Sequence, residues 1–155
     1  IQIDMLLAEK FGMYYTDADG QKKLPYIIHR TSLGCYERTL AYLIEKYAGA
    51  LPTWISPEQV RILTITDRAN DYAEEIRSAL AKKYRVSVDD SQNTLKYKIR
   101  NAQLEKVPYM LVVGDKEAEE GTVSVRKRGH GDQGSMSTED FVALIKEDIA
   151  TRVIW

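Results

Sequence analysis

Residues 110–113 read Met-Leu-Val-Val, four apolar side chains with no polar break. A strand with one wet face alternates, so a short unbroken apolar run is most easily a strand covered on both faces. Such a strand lies inside a sheet, and the chain around it must supply more strands and the helices that cover them. It does. Gln59 to Thr66 (Q-V-R-I-L-T-I-T) sets Val60, Ile62 and Thr64 on one face. Asp67 or Asn70 can cap a helix to about Lys83, with Ala73, Ile76 and Leu80 inward. Arg85 to Asp89 is a short strand, and a helix from about Thr94 to Lys106 buries Leu95, Ile99 and Ala102. Thr122 to Arg126 alternates, and Gln133 to Met136 adds a short edge strand. Ser137-Thr138-Glu139-Asp140 opens a last helix with Phe141, Leu144, Ile145 and Ile149 at helical spacing. Strand–helix units in succession imply an α/β fold with a mostly parallel or mixed sheet.

Before this lies a smaller part, joined to it near Gly49-Ala50-Leu51-Pro52. Ile1-Gln2-Ile3-Asp4 alternates, Asp17-Ala18-Asp19-Gly20 is a turn signal, and a strand is expected over 24–31. A helix runs roughly from Cys35 to Tyr47, with Leu40, Leu43, Ile44 and Tyr47 on one stripe and Gly49 as its stop.

Several classes are disfavoured. No apolar run reaches the ~18–20 residues a membrane span needs. The start, I-Q-I-D-M-L-L-A-E-K, has no basic region before an apolar one and is not read as a signal peptide; beginning at Ile1 within an apparent strand, it reads as a piece of a longer chain. One cysteine, Cys35, excludes an intrachain disulfide and fits a reducing compartment. There is no glycine-rich phosphate loop and no nucleophile–base pair, which argues against a metabolic α/β enzyme. A net charge of −1 makes no global case for nucleic acid, but Leu95–His130 carries a local charge of +3.

Chemistry concentrates in Pro25–Arg38, P-Y-I-I-H-R-T-S-L-G-C-Y-E-R. A strand ends in His29-Arg30, Gly34 turns the chain, and a helix opens with Glu37-Arg38, an order that can present a guanidinium to a phosphate or carboxylate. On residues alone, His29 is more often a structural histidine than a zinc ligand, and Arg38 an ordinary surface arginine. In the second part, Lys96 and Arg100 share a helical face. Glu117 and Arg126 are expected to face each other near a hairpin turned at Glu120-Gly121, an ion pair contributing at most about 1 kcal/mol if exposed.

The patterns H-R-T-x-L-G-x-x-E-R (29–38), P-T-W-I-S-P-x-Q-V (52–60), K-I-R (98–100), G-x-K-E (114–117), V-x-V-R (123–126) and G-S-M (134–136) occur in this order. Together they resemble the class II aminoacyl-tRNA synthetases, in particular their threonyl branch, over roughly residues 1–150. The resemblance implies that residues 1–50 are the end of a catalytic domain, a strand-strand-helix remnant of its antiparallel sheet with motif 3. It implies that 51–155 form an anticodon-binding domain with a mixed five-stranded sheet flanked by helices. The intact protein would be an ATP-dependent, Mg2+-assisted threonine–tRNA ligase, cytoplasmic, homodimeric and not membrane-bound. Motifs 1 and 2 are missing, so this piece alone is expected to be inactive, with weak, salt-sensitive RNA binding of its own.

Residue by residue, the resemblance implies that Arg38 contacts ATP phosphate and that Gln2, in the Q-x-D strand, touches substrate. Cys35 stands where the family usually has a substrate-side serine. His29 would be one of three zinc ligands, the other two lying outside this chain, with the metal binding threonine's amino and hydroxyl groups. Glu117, Arg126, Arg100 and Lys98 would contact the anticodon loop of the threonine tRNA. Where the family commonly shows an acid followed by Arg-Asn-Glu-Lys, this chain has Asp89-Asp90-Ser91-Gln92-Asn93-Thr94, so Gln92 or Asn93 becomes the candidate amide contact. The alternative is a non-catalytic relative of the anticodon domain used as an RNA-binding or accessory module; motifs 1 and 2 upstream would separate the two.

Overall fold

The computed structural model describes residues 1–152. The chain divides into two compact units, 1–41 and 42 onward. In the first, strand β1 (Gln2–Asp4) pairs antiparallel with β4 (Ile27–His29), placing Gln2 opposite His29 and Ile3 opposite Ile28. The strand expected over 24–31 is confined to these three residues, since Pro25 has no N–H to give a ladder. The Asp4 carboxylate accepts the N–H groups of Leu7 (2.8 Å) and Leu6 (2.9 Å), which starts the short helix α1 (Leu7–Lys10) and holds that carboxyl below its ordinary range. The Asp17–Gly20 turn joins two-residue strands β2 (Tyr15–Thr16) and β3 (Lys22–Lys23), a hairpin not foreseen from sequence. Ala8 is the only buried residue described in this unit.

Helix α2 (Tyr36–Lys46) contributes its first residues to the first unit and Tyr42–Lys46 to the second. The second unit then follows the expected alternation: β5 (Val60–Thr64), a 3-10 turn at 67–69, α3 (Asn70–Leu80), β6 (Val86–Asp89), α4 (Leu95–Leu104), β7 (Tyr109–Val113), α5 (Asp115–Glu120), β8 (Thr122–Lys127), β9 (Gly131–Ser137) and α6 (Thr138–Thr151). The strands form one five-stranded mixed sheet in the order β6-β5-β7-β8-β9, with β6, β5 and β7 parallel and β8 and β9 antiparallel additions. The apolar run is fully buried in the central strand β7. β9 is an edge strand, and a bulge between Val125 and Arg126 leaves Gln133 unpaired against β8.

The alternation of each strand sorts its side chains to two faces. Val60, Ile62, Tyr109, Leu111, Val113, Val123 and Val125 meet Ala73, Ile76 and Leu80 of α3 and Phe141 and Ile145 of α6 in the larger core. Completely burying a side chain such as Phe141 contributes about 1.5–3 kcal/mol. The opposite face is thinner: Leu63, Met110 and Val112 pack on Ala102 of α4 and on Val107, with Leu95 and Ile99 at the margin. On that face Ser124 and Arg126 of β8 continue the sheet surface beside α4. Ser137 caps α6 as expected, its Oγ accepting the Asp140 N–H (3.0 Å), and Thr94 Oγ1 accepts the Tyr97 N–H of α4. The cap expected at Asp67 or Asn70 is corrected, because α3 follows directly on the 3-10 turn, with Ala69 before it and no side-chain cap. The Glu120-Gly121 turn is corrected. It is the C-terminal end of α5, with Gly121 at φ 67°, and not a hairpin turn. Among the described residues no helix is long and apolar enough to cross a membrane.

Candidate nucleic-acid interface

Three depressions follow α4 along the thinner face. At its N-terminus, Thr64–Asp67, Ser91–Asn93 and Lys98 line about 240 Å³ of mostly polar space. Along its flank, Leu95, Lys96, Ile99, Arg100, Gln103 and Arg126 line about 390 Å³. Past its C-terminus, Gln103, Val107, Met110 and Arg126–Gly129 border about 280 Å³. A ten-residue helix is about 15 Å long, room for several bases at the ~3.4 Å rise of a stacked strand.

Lys96 and Arg100 are exposed one turn apart, beside Leu95 and Ile99 as their spacing requires. Arg126 enters the same groove from β8, because its register partner Met110 belongs to the α4 face. It pairs with Asp132 at 3.6 Å, with 31% of its side chain exposed. A part-exposed pair of this kind contributes about 0–1 kcal/mol, so an incoming phosphate or base can displace it. No local pattern points to Asp132, whose contact with Arg126 exists only because β8 and β9 close a hairpin.

Glu117 does not face Arg126. It sits in the first turn of α5, where its carboxylate accepts the Gly114 N–H at 3.0 Å, at the end of β7 opposite to Met110 and Arg126. Thr122 and Arg126 bound four steps of β8, about 13 Å at ~3.3 Å per residue. A Cβ at Gly114 would lie 2.8 Å from Ile65 Cδ1, so a larger residue there would displace the Ile65 side chain. Gln92 is exposed, and its amide donates to Asp67 Oδ1 at 2.9 Å across the first depression. Asn93 donates to Ser91 Oγ at 3.0 Å.

Lys98 departs most from expectation. Only 2% exposed, it lies inside the protein, its amine donating to Thr64 O (2.9 Å), Thr64 Oγ1 (3.3 Å) and Asp89 O (3.0 Å). Arg128, in the basic run 126–130 that the sequence offers as a patch for nucleic acid, is similarly occupied. It donates to Ala50 O (3.1 Å), Leu51 O (2.7 Å) and Lys106 O, and burial pulls its guanidinium below the ordinary range.

In the first unit, Gln2 and His29 are cross-strand neighbours and line about 480 Å³ with Ile1, Arg30 and Thr31. His29 Nε2 is 4.0 Å from Asp4 Oδ2. Arg38 and Cys35 lie at the start of α2, both exposed, with the Cys35 thiol donating to Glu37 Oε2 at 2.9 Å. That contact holds the Glu37 carboxyl below its ordinary range. No group of three or more His, Cys, Asp or Glu that could hold a metal occurs among the described residues.

A family model described as an anticodon binding domain matches residues 59–148. The chain belongs to the anticodon-binding domain family. The matched span takes in the whole five-stranded sheet and the three depressions along α4. The chain is 58% identical over 153 residues to threonine–tRNA ligase of Clostridium perfringens, and 54% identical over 153 residues to that of Clostridium botulinum. Each match covers 98% of this chain and 24% of the relative, so the chain spans about a quarter of the curated relatives' length. Among solved structures, the RNA binding domain of threonyl-tRNA synthetase from Cryptosporidium parvum superposes with a TM-score of 0.71 at 33% identity, covering 95% of this chain and 38% of that one. An anticodon-binding domain whose one sheet face is half-covered has both a rigid platform and an open, basic groove.

Proposed function

We propose that this chain is the tRNA-reading end of a threonine–tRNA ligase, joined to the last elements of its catalytic domain. The observation that carries the reading is Arg126 entering the α4 groove beside Arg100 and Lys96, within a domain of the anticodon-binding family. Anticodon loops expose unstacked bases with free edges, and arginine can bridge the O6 and N7 acceptors of guanine. Gln92, Glu117, Arg100 and Arg126 then contact different nucleotides along the helix: Glu117 accepts from base amino or imino groups, and Arg100 serves the backbone or a base edge. The separation of Glu117 from Arg126 suits two bases better than one.

In the whole ligase, ATP with Mg2+ activates threonine, which is then joined to the terminal adenosine of its tRNA, in a cytoplasmic homodimer. Gln2 would touch substrate, Arg38 would hold ATP phosphate, and Cys35 would line the same site. His29 would supply one imidazole for zinc. No group of three or more His, Cys, Asp or Glu that could hold a metal occurs among the described residues, and a site open to substrate needs three protein ligands, so the other two would come from elsewhere in the longer protein. When bound, the metal would take threonine's amino and hydroxyl groups. The cross-strand pairing of Gln2 with His29 supports putting substrate and metal contacts side by side.

The test is binding of threonine tRNA to this chain at low salt, beside an anticodon-swapped tRNA and an Arg126→Ala variant. Loss of roughly 1–3 kcal/mol in both comparisons is expected. Equal binding in all three would reduce the interaction to backbone electrostatics and remove Arg126 as a base reader.

A further inference from the structure

Lys98 is a cation placed where lysine is rarely found, 2% exposed at the fourth position of α4. Its ammonium has three N–H donors, and three oxygens receive them: Thr64 O, Thr64 Oγ1 and Asp89 O. The carbonyls belong to the last residues of β5 and β6, neighbouring parallel strands whose final register pair is Leu63 with Asp89. The Thr64 hydroxyl also donates to Asp89 O at 3.3 Å, closing the cluster. Immediately beyond these two residues the chain enters the segments 65–67 and 90–94. Each carries one partner of the Gln92–Asp67 hydrogen bond (2.9 Å), which spans the cavity above Lys98. One buried amine thus holds the roots of both segments, one of which carries the exposed Gln92.

We infer that Lys98 is a positioning residue for base readout: it fixes the ends of β5 and β6 so that Gln92 is presented to the RNA in one orientation. The inference rests on the reading of this domain as an anticodon reader. A direct contact with RNA would give Lys98 a different signature. A lysine that neutralises a phosphate adds about one unit to the slope of log affinity against log salt, whereas a buried positioning lysine adds nothing to it.

The experiment is a double-mutant cycle on the 155-residue chain, with Lys98→Met, Gln92→Ala and the pair, titrated with threonine tRNA and an anticodon-swapped tRNA at several salt concentrations. Lys98→Met is expected to weaken cognate binding roughly tenfold, with the salt slope unchanged and with no further loss once Gln92 is already alanine. A slope lowered by about one would make Lys98 a phosphate contact, and losses that multiply in the pair would make the residues independent; either overturns the inference. Should Lys98→Met not fold, Asp67→Ala removes the other anchor of Gln92 from the exposed side. Its loss must likewise vanish in the Gln92→Ala background, and persistence there overturns the inference. If the wild-type chain binds both tRNAs equally, the anticodon reading itself fails. If it discriminates while the losses multiply, only the role of Lys98 fails.

Discussion

The two units of this chain use similar residues to opposite ends. The first carries Ile3, Phe11, Tyr26 and Ile28, all more than half exposed, and buries Ala8 alone among its described residues. The second carries Ile62, Leu111, Val125 and Phe141, all at 0% exposure. Hydrophobicity is not what separates them. Paired strands of two or three residues have no second layer, whereas a five-stranded sheet with helices on both faces encloses whatever its alternation turns inward. Apolar side chains become a core only where topology supplies a lid.

The largest test of that contrast is truncation. Leu111→Ala should cost about 2–5 kcal/mol in urea denaturation, while Ile28→Ala should stay within about 0.5 kcal/mol; a comparable loss at Ile28 would mean that the first unit has a hidden core. Next comes the polar interior of the second unit. Tyr109 is fully buried, its hydroxyl donating to Asp148, which Lys127 also meets at 2.9 Å. Burial, and then Asp148, push its phenol above the ordinary range, so it remains a donor at any working pH. Tyr109→Phe should cost about 1–3 kcal/mol by depriving a buried carboxylate of a donor, and an unchanged midpoint would show that Lys127 suffices. Amide exchange sharpens the comparison without mutation. Protection should be greatest over Tyr109–Val113 and weakest over Gln2–Asp4, and the reverse order would refute the account.

The smallest effect is electrostatic. The Arg61 guanidinium donates to Glu58 (Nε to Oε1, 2.9 Å) and reaches Glu105, whose carboxyl is held below its unfolded value of about 4.5 mainly by that hydrogen bond. A depressed carboxyl stabilises above its unfolded pKa and loses that contribution as pH falls through the folded one. Glu105→Gln should therefore lower stability at pH 7 by less than about 1 kcal/mol and by nothing near pH 2. Equal effects at both values would assign the loss to something other than charge.

How much of this was legible in the sequence follows the same division. Ala73, Ile76 and Leu80 were placed inward by spacing and all three are buried, because a helix on a sheet obeys its own period. The edge strand, the cap at Ser137 and the central run were legible for the same local reasons, whereas the cap expected at Asp67 or Asn70 failed because a 3-10 turn runs straight into α3. Gly121 was misread because a glycine with positive φ ends a helix as readily as it turns a hairpin. The missed first-unit hairpin has strands too short to leave a pattern. In the site, Lys96 and Arg100 could be placed together from their spacing. That Arg126 joins them depends on register across β7 and β8, which no local pattern records. Lys98, expected to contact the anticodon loop, is buried instead, because only the assembled strand ends create the oxygens that hold it.

The bulge opposite Arg126 bears on how this domain can diverge. β8 takes its alignment from the central strand, where Met110 pairs with Arg126, and its outer neighbour already carries one residue more than it needs. Deleting Gln133 should restore one-to-one pairing at the rim and leave the arginine where it is; a loss as great as from a deletion within β8 would contradict this. Insertions and deletions can then accumulate on the outermost strand while the α4 face keeps its phase, so descendants of one ancestor can differ in length there with the groove residues unmoved.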